Sequence, residues 1–442
     1  MNRATESHVV SMTQTRIQRF PQSLRGIGGG EGNRRYVVPS VVAIGPFHHG
    51  RAHLHEMEEV KLMAAHRFCA DSGVQVVRDK IFSIAGDARR CYAATGDLQI
   101  AALEDAEFAE MMFVDGCFLL QFMFKGNEPP IVGRFLSSGP SILKDIFLLE
   151  NQIPWLVLEA LAKYVPMHDG LVIADLVLNF IVDHMKGYFF LDRSRKEDKA
   201  RLCFQNLLAK CRCAKDPVGM GRSFSHGDHP NPKHLLGLLR FGMTRGMPSQ
   251  KRRSELSNRS FPRLSCSAVD LAQIGVKLTA SRTPWFADVN CQKKPIFGEL
   301  SLSPLFLNHV AACCLVNLAA LEVTEATSAS SSESDGFVVS SYLSVLAMLM
   351  DSEEDVHQLR VRGVLCSNFS NNQTLAFFKE LVQYLRLGYN YYAAMEEIDE
   401  YMRRRPVRIA VHRFIYNNYR TIVAVLSIAS VLVGIFKALK KP

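Results

Sequence analysis

The stretch near the C-terminus constrains this chain most. Thr421 to Phe436 holds no charged residue over 16 positions. At ~1.5 Å rise per residue a helix of that length spans ~24 Å, short of a ~30 Å hydrocarbon core. Extension to Leu439 brings it to ~28 Å, provided Lys437 carries its ammonium out to the interface. A terminal helix packed on a soluble domain would keep a polar face, and this one has none. The segment is therefore expected to insert in a bilayer, with Thr421, Phe436 and Leu439 marking the anchor. Arg403, Arg404, Arg405, Arg408, Arg413 and Arg420 precede it, against Lys437, Lys440 and Lys441 after it. That bias places the large N-terminal part in the cytosol, as a single-pass protein of the plasma membrane or endoplasmic reticulum. The arginines also attract anionic headgroups, so membrane lipid is one expected partner.

The rest of the chain reads as globular. Of 442 residues, 48% are hydrophobic and 21% charged, the balance of a chain that buries a core. The net charge of +9 fits a negatively charged partner or simply a basic surface, and no nucleic-acid motif accompanies it. Met1 to Phe20 lacks the apolar run of a secretory signal. The 11 cysteines are odd in number and follow no framework spacing, which suits free thiols in a reducing compartment. Three sequons, at Asn258, Asn368 and Asn372, report topology because glycosylation happens in the lumen.

Helical periods dominate. Residues 1–35 read as a flexible arm ending in the glycine-rich stretch Gly26 to Gly32. A helical domain follows over residues 36–411, with mobile loops near 242–267 and 324–336, and residues 412–442 form the basic juxtamembrane segment and anchor. Apolar spacing predicts helices over Leu54–Ala70, Ala101–Phe124, Asp145–Tyr164, Leu171–Met185, Pro232–Phe241, His309–Val323 and Phe337–Met350. Ala101–Phe124 and Asp145–Tyr164 are expected at the centre. Ser352 with Asp355 reads as a helix cap, and Leu375 to Ile398 as one long amphipathic stripe. Tyr36 to Ile44 reads as extended, broken by Pro39, and Pro284 to Pro304 suggests short strands or turns. The fold class is mainly α: a large helical domain with a few short strands, plus one C-terminal transmembrane helix.

Few residues suggest chemistry. Cys211, Cys213, His226 and His229 stand in zinc-finger order, but one residue separates the cysteines where two to four are usual, and the aromatic and leucine of a finger core are missing. No metal or cofactor is expected. His48 and His49 could serve Cys117 as a base, which would require hydrogen-bond reach. The plainer reading is that histidines behind Gly45-Pro46 bond backbone groups and fix the entry of a helix. Asp115 lies on the apolar stripe with Met111, Met112, Phe118 and Leu119, so it should be buried and paired. Glu150, Asn151 and Gln152 precede Pro154, whose ring clashes with the carbonyl four residues back. The triplet reads as a buried, hydrogen-bonded kink.

The motifs resemble one known family. Pro39-Ser40-Val41-Val42-Ala43-Ile44-Gly45-Pro46-Phe47-His48-His49-Gly50, followed by Leu54, Met57-Glu58 and Lys61, is similar to the opening signature of the plant domain-of-unknown-function 247 family. Phe108, Met111-Met112 and Asp115 to Leu120 match its second block. Asp145-Ile146-Phe147-Leu148-Leu149-Glu150-Asn151-Gln152-Ile153-Pro154 resembles its third and most specific block. Weaker matches follow at His234-Leu235-Leu236, Ser267-Ala268, Gly275-Val276-Lys277 and Asn317 to Glu322. One departure stands out: the family commonly places Pro-Trp just before its terminal hydrophobic segment, where this chain has Asn418-Tyr419. Tyr416 and Tyr419 can take the interfacial role. The resemblance carries no established catalytic activity. Some relatives are associated with pollen self-incompatibility in grasses, so it implies a membrane-anchored interaction or recognition protein, with an unknown protein partner and unknown oligomeric state. The alternative function is a hydrolase-like enzyme using Cys117 with His48 or His49.

Overall fold

The computed structural model describes residues 17–27, 34–92, 97–125, 131–165, 173–174, 176–178, 180–181, 232–244, 266–281, 286–293, 297–328, 337–385 and 388–439. The architecture is mainly helical, and one continuous apolar core runs from Ile17 to Tyr401. The Cys211, Cys213, His226 and His229 cluster lies outside the described residues, as does most of the 242–267 loop.

At the centre of the first half stands the helix Asp105–Lys125. Every residue from Met111 to Gln121 is buried, so it is enclosed all round instead of on one broad face. The helices Glu56–Phe68, Val74–Arg90 and Trp155–Ala162 surround it. Enclosure on several sides requires one point of very close approach, which Gly116 supplies. A Cβ there would fall 2.4 Å from Leu161 Cδ1 and 3.2 Å from Val157 Cγ1. Gly116→Val should therefore destabilise by about 1–3 kcal/mol through overpacking. Gly86→Ala, on the exposed side of Val74–Arg90 with its nearest neighbour 3.9 Å away, should stabilise by up to about 1 kcal/mol through helix propensity. Denaturant midpoints of the two variants, moving in opposite directions, check both.

Asp145 to Tyr164 does not form one kinked helix. The helix Ile131–Ile146 stops, a buried link follows, and Trp155–Ala162 begins afresh with Pro154 as its N-cap residue. Proline disfavours helical backbone at the residue before it, so the chain leaves the helix ahead of Pro154 instead of bending through it. The single stripe read over Leu375 to Ile398 is likewise two helices, Asn371–Val382 and Tyr389–Arg404.

In the second half, His309–Ser328 is buried from Val310 to Thr324, and Val338–Met348 packs on it. The helix runs through Thr324, where the linker was expected to start. Capping boxes open three short helices, at Ser267 with Asp270, Ser352 with Asp355, and Ser370 with Gln373. The strands are few. β1 (Val276–Ala280) pairs parallel with β3 (Gly298–Leu302), which pairs antiparallel with β2 (Asn290–Lys293). β4 (Leu305–Leu307) and β5 (Leu365–Ser367) form a separate parallel pair.

The last helix, Pro406–Leu439, is 34 residues long, about 50 Å at helical rise. Its stretch Pro406–Phe436 has a mean hydropathy of 2.0 over the most apolar window, and none of that window is buried. Ser427 and Ser430 donate their hydroxyls to the carbonyls of Val423 and Leu426, each at 2.8 Å. Both serine hydroxyls are thus satisfied within the helix.

Candidate functional site

The signature residues converge on one buried polar network between the N-terminal segment, the central helix and the link before Pro154. Part of the expected flexible arm belongs to it. Ile17, Phe20, Leu24 and Ile27 are all buried, and the Ile17 amide donates to Cys91 O at 2.9 Å. Their burial ties residues 17–27 into the core, against the reading of residues 1–35 as a flexible arm.

Glu150 receives that segment. Its Oε1 accepts from the Phe20 amide at 2.8 Å and from Arg25 Nη2 at 2.8 Å, while Arg19 Nη1 reaches Oε2 at 3.3 Å. Arg19 also bonds Asp97 at 2.8 Å and lies over the Phe47 ring. Asn151 and Gln152 hold the link itself. Asn151 Oδ1 accepts from the Ile44 amide at 2.7 Å, and its Nδ2 donates to Val42 O and Asp145 O. Gln152 Nε2 donates to Ile146 O and Leu148 O, and Oε1 accepts from the Leu236 amide at 3.0 Å. A non-helical stretch can stay buried only if its backbone groups find partners, and these two amides supply them.

Asp115 sits below. Its Oδ2 accepts from the Gly45 amide at 2.7 Å and its Oδ1 from Lys61 Nζ at 2.6 Å. Lys61 is 1% exposed. Its three donors meet Asp115, Ala43 O at 3.0 Å and Glu58 at 2.9 Å. Burial opposes the charge on Lys61, but Asp115 and Glu58 outweigh it and the ammonium's pKa is raised. Gly45 is required twice over: its φ is +75°, and a Cβ would strike Gln152 O at 2.5 Å.

Several residues of this network escaped the sequence reading. Asp145 is buried and its Oδ2 accepts three successive amides, Ser40, Val41 and Val42, at 2.9, 2.6 and 3.1 Å. Asn317 Oδ1 accepts from the Leu149 amide at 2.8 Å, and Nδ2 donates to Tyr36 O, joining the two halves. Glu322 accepts from the Val339 and Ser340 amides at the start of Val338–Met348, with Arg240 alongside, an anion placed at a positive helix end. A polar residue inside an apolar helical run is the signal that singled out Asp115, and it marks Asn317 and Glu322 as well.

The histidines depart from expectation. His48 is buried, yet neither ring nitrogen reaches a hydrogen-bond partner, and Nε2 stands 3.7 Å from Glu150. Burial, with Arg51 and Arg19 nearby, pushes its pKa down to about 3. His53 contacts a backbone carbonyl, that of Pro39, at 3.1 Å. The half-buried His49 lies 3.9 Å from Glu107. Cys117 is buried beside Cys69, and burial pushes its thiol well above the ordinary range. The structure does not bring it within hydrogen-bond reach of either histidine, so the Cys117–His48 or Cys117–His49 pairing has no geometric basis.

A family model described as a plant protein of unknown function, DUF247, matches residues 17–433. The chain belongs to the DUF247 family. The match begins at Ile17, the first buried residue of the segment that packs against Glu150. Among curated proteins, this DUF247 chain is 27% identical over 380 residues to the UPF0481 protein At3g47200 of Arabidopsis thaliana, covering 83% of the chain and 72% of that relative. The putative UPF0481 protein At3g02645, also of Arabidopsis thaliana, is 31% identical over 134 residues, 29% of the chain and 24% of that relative. No solved structure matches it.

Proposed function

We propose that this DUF247 chain is a single-pass membrane-anchored interaction protein, with its helical domain in the cytosol and a role in recognition or signalling. The observation that carries the reading is the helix Pro406–Phe436, which is apolar and exposed over its whole most hydrophobic window. Exposing side chains such as Phe414, Leu426, Ile428, Leu432 and Phe436 to water is unfavourable, and a bilayer removes that cost. The buried network supports the same reading from the other side. Its carboxylates and amides are occupied in holding chain segments together, the work of a rigid scaffold that presents a surface.

Alkaline carbonate extraction tests the anchor. The full chain should stay with the membrane pellet, and a chain ending at Arg420 should be released. Asn368 and Asn372 are placed on the surface, and with Asn258 they should remain unglycosylated in the full chain. A glycan at any of the three would reverse the orientation, and carbonate release of the full chain would remove the anchor.

A further inference from the structure

Where the last helix leaves the domain, it closes one side of a cavity of about 290 Å³. The floor comes from Ala268, Ala272 and the start of β1, and the rim carries Lys277, Arg362 and His412. Lys277 and Arg362 are exposed and make no ion pair among the described residues. His412 Nδ1 stands 3.0 Å from Gln273 O. Because a carbonyl only accepts, that nitrogen carries the proton, and the ring is fixed against the domain. Gly275 permits the approach: its φ is +82°, and a Cβ would lie 3.2 Å from His412 Cδ2. Two cations that make no ion pair among the described residues, and an imidazole, thus line one small space, with the rings of Phe297 and Tyr416 beside them.

The position of this cavity decides what it meets. Tyr416 lies four residues before Arg420, ~6 Å along the helix axis, and His412 lies eight before it, ~12 Å. The polar headgroup layer is roughly 5–7 Å deep on each side of the hydrocarbon. The cavity therefore opens at the level of lipid headgroups and just beyond them. We infer that it binds the phosphorylated headgroup of an anionic membrane lipid, with Lys277 and Arg362 contacting the phosphate and the aromatic rings lying against the glycerol region. A phosphate standing out from the membrane surface satisfies both charges with charge-assisted hydrogen bonds. The inference deepens the membrane reading and rests on Thr421–Phe436 lying in the bilayer.

The test uses the full chain in neutral detergent micelles, titrated with dioctanoyl phosphatidylinositol 4-phosphate and followed by native mass spectrometry. Lys277→Ala/Arg362→Ala should bind the lipid roughly tenfold more weakly or worse, since two charge-assisted contacts are lost. Arg78→Ala/Lys379→Ala removes two surface charges paired with Glu110 and Asp351, and should bind within about twofold of the parent. Unchanged melting by circular dichroism would show that both variants fold. Equal binding by the Lys277/Arg362 variant, an equal loss in the Arg78/Lys379 variant, or equal affinity for phosphatidylcholine would overturn the site. Inorganic phosphate binding as tightly as the lipid would also overturn it, by making a soluble anion the ligand. Carbonate release of the full chain with lipid binding retained would sink the anchor and leave the site standing.

Discussion

Lys61→Ala and Asp115→Ala should each lower the free energy of unfolding by about 3–5 kcal/mol, because either change strands a buried charge. Both side chains are 1% exposed. Removal of Lys61 leaves Asp115 with the Gly45 amide as its remaining donor. Removal of Asp115 leaves the ammonium with Ala43 O and Glu58. The Asp115 loss should be the more tolerable of the two, since Glu58 is part-exposed and can keep a countercharge. Lys61→Met with Asp115→Leu replaces the pair by apolar groups of similar bulk, and it should cost less than the sum of the single changes. Guanidinium unfolding of the full chain in micelles, run as a double-mutant cycle, measures the coupling. Single variants that cost under about 1 kcal/mol would mean that the pair is solvated, and the argument from its burial would fail.

That pair also shows how much was legible beforehand. Asp115 could be found because one carboxylate sat on a stripe of Met, Phe and Leu, and a lone buried charge demands a partner. Which partner it had was not legible. Lys61 lies 54 positions away, and on its own helix it looked like one more residue on the buried side. The helix-rich class was readable from periodicity, and the Ser352–Asp355 cap from two residues at the right spacing. The break at Pro154 was readable as a break, but its size was not. A proline says that a helix stops or bends, and only the tertiary partners of Asn151 and Gln152 make stopping affordable. Residues 17–27 were misread for the opposite reason. The glycine-rich stretch after them marked the segment as a flexible arm, yet Arg19 and Arg25 reach inward to Glu150, which lies more than 100 residues later. Long-range pairing of polar groups is what local pattern cannot supply.

Acidification from pH 7 to pH 5 should destabilise the domain through two buried histidines, by about 2 kcal/mol each. His234 is the better defined. It is fully buried, and its Nδ1 accepts from the Gly237 amide at 3.2 Å, so the ring caps the helix Leu235–Thr244. Burial pushes its pKa down to about 3, with Lys233 adding to the effect. His48 is held down to about 3 in the same way, by burial and then by Arg51 and Arg19. An unfolded histidine titrates near ~6.5. Between the two values the unfolded chain holds a proton that the folded chain refuses, so stability falls as pH drops below ~6.5 and the loss ends near the folded value. For His234 the physical cost is visible in the geometry. A protonated Nδ1 becomes a donor, and it would then face the Gly237 N–H instead of accepting from it. His234→Asn keeps a side-chain acceptor at the cap but cannot titrate. It should remove about half of the slope in denaturant midpoint between pH 7 and pH 5, and His48→Leu should remove most of the remainder. Ordinary carboxylates protonate below this window, and Asp115, whose carboxyl is raised by burial, is common to parent and variants, so the difference between them isolates the histidines. A parent-like slope in His234→Asn would show that His234 takes up its proton in the folded state, and the capping geometry could not then be the one described.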